Sequence, residues 1–158
     1  RWIEINFGRM VICKGGQKMP GFKGGCLCGA ITYEVSSDPI NMWNCHCDDC
    51  RRATGASFAT NVFVNLIDLT ITNGAVSTYQ HSADSGNTMT KGFCSDCGSQ
   101  LFNSNSARPE IKVVRVGTIN NANFVQPWAN LYSSKALSFT HLSDDLDNFE
   151  KMPPTPSK

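Results

Sequence analysis

The sequence predicts a small, mainly β domain with only one or two short helical turns. Three observations carry this expectation. Short clusters of β-branched and aromatic residues recur, Gly- and Asn-rich turns separate them, and one stretch alone has helical character. At 158 residues the chain has the length of one domain, enough for a real core but not for two. Its hydrophobic fraction of 41% is ordinary for a globular protein.

AITYEV (30–35) alternates β-branched and aromatic residues with small or polar ones and is the first expected strand. DDCRRAT (48–54) is the helical stretch, a turn or two long. FATNVFV (58–64), TMTKGF (88–93) and IKVVRV (111–116) supply further strands by the same pattern. Asn73-Gly74, Ser85-Gly86 and the Asn/Ser-rich residues 103–106 read as turns. There is no internal repeat and no heptad. Residues 1–18 show no clear period and are set apart as an N-terminal extension, with Met19 a natural start. Residues 19–150 form the domain, and KMPPTPSK (151–158) reads as a loose, Pro-rich tail.

Charge narrows the function classes. Fourteen Lys and Arg against 13 Asp and Glu leave a net charge of +1, without any block of like charge. That balance argues against a nucleic-acid or anionic-membrane partner, because such binding is driven by phosphate neutralisation. A membrane span is not expected either. The longest uncharged stretch, Val116 to Ser134, contains Asn120, Asn121, Asn123, Gln126, Pro127 and Asn130, which hydrocarbon does not tolerate.

Eight cysteines dominate the remaining signal. Disulfides belong mainly to secreted chains. Here RWIEINFGRM lacks the apolar core of a secretory signal, and the chain has no Asn-x-Ser/Thr sequon. The expectation is a reduced, cytoplasmic protein whose cysteines bind metal. Cys26-Leu27-Cys28-Gly29 offers two thiolates on one side of an extended backbone. Cys94-Ser95-Asp96-Cys97-Gly98 is a knuckle whose Gly permits a tight turn. Paired across the chain, the two groups complete a tetrahedral four-cysteine zinc site; two reduced pairs or one disulfide are the alternatives.

Cys45-His46-Cys47-Asp48-Asp49-Cys50 supplies three more thiolates and no obvious fourth ligand. His46 points away from its neighbours if the segment is extended. Asp48 and Asp49 suit the positive end of the helix. Three ligands and an open position are the arrangement of catalytic zinc. With three thiolates the centre is net negative, hence better suited to holding a fourth, exchangeable thiolate than to acting as a Lewis acid. Arg51 and Arg52 can offset that charge or take a substrate carboxylate, the alternative being a solvated helix face. Thr54, Ser57 and Phe58 can line the site, although core or turn roles are open to them. Trp43, Trp128, Tyr132 and Phe139 read as core residues, with Trp128 a possible border of a cleft. Cys13 is left over as a free thiol, and His81 and His141 have no evident partner.

GGCLCGAITYE (24–34), CHCDDCRRATGASF (45–58), FCSDCGSQLF (93–102) and VRVGTIN (114–120) resemble the motifs of the glutathione-dependent formaldehyde-activating enzyme family, which also includes centromere-protein-V-like proteins. The resemblance runs over about residues 22–150. It implies stacked antiparallel sheets in a tent-like arrangement and two zinc sites. Cys26, Cys28, Cys94 and Cys97 would be the structural ligands, and Cys45, Cys47 and Cys50 the active-site ligands. The implied activity is that of a carbon–sulfur lyase on a small-molecule thiol, joining glutathione to formaldehyde. PWANLYSSKALSF (127–139) departs from the His or acidic residue and Trp common in that region of the family. The substrate therefore stays open. A tailoring enzyme of a specialised-metabolite pathway and a non-catalytic zinc module are the alternatives.

Overall fold

Strand after strand is fixed by side chains that alternate between two environments. In β4 (Ala59–Asn65), Val62 and Val64 face one side and Asn61 and Phe63 the other, as a period of two requires. The computed structural model describes residues 21–153, so the expectations for residues 1–18, Cys13 and the last part of the tail lie outside the described residues. Ahead of β4 come β1 (Phe22–Gly25), β2 (Thr32–Val35), β3 (Asn41–Cys45) and the helix α1 (Asp48–Thr54). After it come β5 (Leu69–Asn73), β6 (Ser77–Ser82), β7 (Thr88–Phe93), β8 (Gln100–Asn105), β9 (Ile111–Arg115), β10 (Ala129–Leu131) and β11 (Asp147–Phe149). Short 3-10 turns at Leu66–Asp68, Val116–Thr118, Ala122–Phe124 and Ser133–Lys135 complete the described elements.

The strands form two sheets. β1, β2 and β5 make a three-stranded sheet, and the other eight run in the order β11-β10-β3-β4-β9-β8-β7-β6. Pairing is antiparallel except at β10, which lies parallel to both β3 and β11. The mainly β architecture is as expected.

The two sheets bury a common core. Phe22, Ile31, Tyr33 and Val35 from the small sheet side meet Met42, Val62, Val64, Phe102 and Val114. Tyr33 stands edge-on to Phe102 with ring centroids 5.0 Å apart. Burying each large apolar side chain contributes about 1.5–3 kcal/mol. The opposite face of the large sheet carries a second cluster of Trp43, Cys45, Cys50, Ala59, Ala129 and Leu131. Cysteines thus take part in both cores. A chain of side-chain hydrogen bonds pins β3 to its neighbours. Thr60 Oγ1 donates to Asn44 Oδ1 at 2.7 Å, Asn44 Nδ2 to Asn130 Oδ1 at 3.0 Å, and Asn130 Nδ2 to Asn148 Oδ1 at 3.0 Å.

Three local expectations change. Residues 103–106 are not simply a turn: Asn103 to Asn105 complete β8, paired with Val113 of β9 and with β7. Cys26 and Cys28 do not lie on extended backbone but on the turn between β1 and β2, so the turn brings their sulfurs together. Phe139, read as core, is 77% exposed.

Candidate functional site

The first group of sulfurs joins the two sheets. Cys26 and Cys28 sit on the β1–β2 turn, Cys94 and Cys97 on the β7–β8 turn, and all four sulfurs lie within 4.8 Å of one another. Cys26 and Cys28 are 3.5 Å apart, and Cys28 and Cys94 are 3.8 Å apart. A tetrahedron with zinc–sulfur bonds of about 2.3 Å has edges of about 3.8 Å, so the donor set fits zinc in both chemistry and size. Both turns depend on glycine. Gly29 (φ 78°) and Gly98 (φ 74°) occupy the left-handed region that lets each turn close behind its second cysteine. Gly98 N–H donates to Cys94 O at 2.9 Å. Backbone donors face the sulfurs as well, with Ile31 N–H 3.2 Å from Cys26 Sγ. Ser99 ties the turns together: its Oγ accepts from Leu27 N–H at 3.0 Å and lies 3.2 Å from Cys97 Sγ. Hydrogen bonds from the Ser99 hydroxyl, then from the Ser99 and Cys28 backbone, lower the Cys97 thiol to about 5.

The second group is local in sequence. Cys45 ends β3, Cys47 caps α1, and Cys50 lies in its first turn. Their sulfurs also lie within 4.8 Å of one another, with Cys45 and Cys47 3.4 Å apart. Cys47 Sγ accepts the Cys50 N–H at 3.4 Å, so the cap and the cluster share one atom. Cys45 and Cys50 are buried and Cys47 is half-buried. No fourth His, Cys, Asp or Glu joins this group among the described residues. Contact with Cys47 and Cys50, reinforced by burial, pushes the Cys45 thiol up. Hydrogen bonds from Cys45 and Cys47 pull Cys50 down, and the positive charges of Arg115 and Lys91 add to that effect. Cys50 is the sulfur that carries negative charge most readily.

His46 turns the other way. It is 1% exposed, its Nε2–H donates to Asn130 Oδ1 at 3.2 Å, and its ring packs 4.9 Å from that of Phe58. Because the same amide oxygen accepts from Asn44, the proton sits on Nε2 of His46. The residues beside the cluster divide. Arg51 is engaged by Asp48, which also lies 4.0 Å from Lys135, and Arg52 is exposed. His81, unpartnered in the sequence reading, lies 3.8 Å from Asp49. Thr54 Oγ1 donates to Cys50 O at 2.8 Å. Thr54 and Phe58 also line a cleft of about 410 Å³, with Cys97, Ser99, Gln100 and Arg115 among its other walls. None of Cys45, Cys47 and Cys50 lines it. Trp128 is held by its indole N–H, which donates to Asn41 Oδ1 at 2.7 Å. Tyr132 packs against the cluster in a left-handed conformation (φ 56°), uncommon for a residue with a side chain.

Sequence reasoning missed two cations. Lys91 and Arg115 are 6% and 4% exposed, on β7 and β9. Arg115 Nε donates to Gln100 Oε1 at 2.9 Å, and its Nη1 donates to Asn61 Oδ1. The available signal was a cation embedded in each β-rich run, Lys91 in TMTKGF and Arg115 beside Lys112 in IKVVRV. A buried Lys or Arg is rare without a partner.

No helix among the described residues is long and apolar enough to cross a membrane. A comparison with curated proteins finds no match. The chain is similar to a protein of known crystal structure from Rhodobacter sphaeroides, with 30% identity and a TM-score of 0.52. The match covers 64% of this chain and 90% of that one. The family model described as glutathione-dependent formaldehyde-activating enzyme matches residues 21–135. With the motifs, the two cysteine groups and the mainly β fold in agreement, the chain belongs to the glutathione-dependent formaldehyde-activating enzyme family.

Proposed function

We propose that this protein is a zinc-dependent carbon–sulfur lyase that makes or breaks the bond between a small thiol and an electrophilic carbonyl, with glutathione and formaldehyde as the first pair to test. The family match supports the class of reaction. The observation that carries the reading is the convergence of Cys45, Cys47 and Cys50 without a fourth ligand among the described residues. A purely structural centre has no use for an incomplete donor set. Zinc held there would supply a soft cation able to keep a substrate thiol deprotonated near neutral pH, where a free thiol with a pKa of about 8.5 is mostly protonated.

The chain's own groups orient the rest. β3 and the cap of α1 fix the three sulfurs, and the amide chain through Asn44 and Asn130 holds β3 in place. Cys26, Cys28, Cys94 and Cys97 are assigned the structural zinc. Exposed Arg52 is the side chain left to meet polar groups of the substrate, while Arg51 is committed to Asp48 and the Thr54 hydroxyl to Cys50 O. In the forward direction a carbon–sulfur bond forms between glutathione and formaldehyde, and the thiol proton ends on the new hydroxyl. The setting proposed with this reaction is reduced and cytoplasmic, because zinc thiolates and disulfides compete for the same sulfurs.

The test is direct. Carbon-13 formaldehyde and glutathione are followed by NMR with the zinc-loaded protein. Wild type should accelerate appearance of S-hydroxymethylglutathione, and Cys47→Ala should return the rate to the uncatalysed one. A wild-type rate no faster than buffer would overturn the assignment of this substrate pair.

A further inference from the structure

The two buried cations, Lys91 and Arg115, lack a carboxylate within ion-pair distance among the described residues, although Asp49 on α1 acts on Lys91 from farther off. Arg115 Nη2 and Asn103 Oδ1 are buried without a hydrogen-bond partner. Burying a charge unpaired is costly, so a counter-charge is expected within reach.

The sheet shows where that charge lies. Lys91 is opposite Asn103, Asn103 opposite Val113, and Val113 opposite Phe63. Two residues along, Arg115 is opposite Asn61, and Asn61 opposite Trp43. With a side-chain period of two, these residues and Cys45 share one face of the large sheet. That face carries the cluster of Trp43, Cys45, Cys50 and Ala59. Of the nearby acids, Asp49 is half exposed beside His81, and Asp48 is engaged by Arg51 and Lys135. The thiolates are the remaining anions on this face.

We propose that Lys91 and Arg115 are the counter-charges of the three-cysteine cluster, and that they fit it to hold a fourth, anionic sulfur from a thiol substrate. The proposal deepens the zinc-enzyme reading above and rests on it. Charge counting sets its terms. A divalent cation with three thiolates carries one negative charge, and a substrate thiolate makes two. Lys91 and Arg115 bring that total to zero. Asp49 of α1 lies 3.8 Å from His81 of β6, which shares the face of Lys91, so the helix that carries Cys50 reaches across that face. The substrate class that follows is a thiol that binds as its anion; a thioether brings no charge to match.

The test uses the full chain loaded with zinc. Wild type, Lys91→Met and Lys91→Arg are titrated against a chromogenic chelator to give the zinc affinity of each site. Calorimetry then compares glutathione with S-methylglutathione. Lys91→Met should weaken the three-cysteine site and glutathione binding each by about tenfold, the size of a unit charge acting through a partly desolvated interior. Lys91→Arg should restore both, and the four-cysteine site should be unchanged in either variant. Should Lys91→Met not fold, Arg115→Lys against Arg115→Gln gives the same comparison. Unchanged affinities in the neutral variants would overturn the proposal and leave the zinc-enzyme reading standing. Weaker glutathione binding with unchanged zinc affinity would also overturn it, by assigning the cations to a substrate carboxylate. Uptake of a single zinc by wild type would overturn both readings.

Discussion

Removing the two sulfurs of the β1–β2 turn should cost far more stability than disabling the local cluster. In the double variant Cys26→Ser/Cys28→Ser, the metal can no longer link that turn to the β7–β8 turn. Cys28 and Cys94 are 66 residues apart in sequence, so the link closes a long loop and restricts the unfolded chain. Treated with the chain-entropy relation for a covalent cross-link, a loop of that length is worth about 4 kcal/mol at 25 °C. A domain's whole stability is about 5–15 kcal/mol, so the loss is severe. The three-cysteine group spans only residues 45–50 and joins nothing distant. Cys47→Ala forfeits chiefly a helix cap, about 1 kcal/mol. Urea unfolding at fixed free zinc, followed by circular dichroism and fluorescence together, measures both. Losses of equal size in the two variants, or a double variant less than about 1 kcal/mol below wild type, would refute the assignment of the structural role.

Other outcomes follow from single residues. Gly98→Ala meets open space but must keep φ near 74°, so it should lose about 1–2 kcal/mol in urea unfolding while still binding metal. Burial raises the Tyr33 phenol to about 12 from 10.0, against the lowering effect of its Thr118 hydrogen bond. Its contribution should therefore be complete below pH 10 and be lost as pH rises toward 12, by about 2–3 kcal/mol. Tyr33→Phe should lack that alkaline drop relative to wild type, and parallel curves would contradict it. Elemental analysis should find two zinc ions per chain in wild type and one in Cys47→Ala, which should still unfold cooperatively.

The site was more legible in the sequence than the sheets around it. Short cysteine spacings followed by a turn-permitting glycine, as in CLCG and CSDCG, keep neighbouring sulfurs within reach of one ion, so these pairs could be read without knowing the fold. The convergence of Cys26 and Cys28 came from a turn where extended backbone was expected, yet the pairing was the same. Helix α1 was equally plain, because Asp48 and Asp49 give it an acidic first turn, and the structure adds Cys47 as its cap. Strand β3 was missed since NMWNC carries two asparagines, although all five residues are buried. Asn44 is satisfied by Asn130 of β10 and Asn41 by the indole N–H of Trp128, partners over 80 residues away. Asn103 was taken for a turn residue because asparagine favours turns, whereas it lies in β8 opposite Lys91 and Val113. Lys91 and Arg115 were passed over because a cation in a strand ordinarily faces water. Only the pairing of β7, β8 and β9 brings them beneath the cysteines.

Zinc-edge X-ray absorption tests the central claim, that Cys45, Cys47 and Cys50 form an open centre for a substrate sulfur. One closed four-sulfur site and one three-sulfur site average about 3.5 sulfurs per zinc. Glutathione should raise that number to about 4, whereas S-methylglutathione should leave it unchanged. A sulfur number that glutathione does not move, or that already stands at 4 in the free protein, would contradict the account.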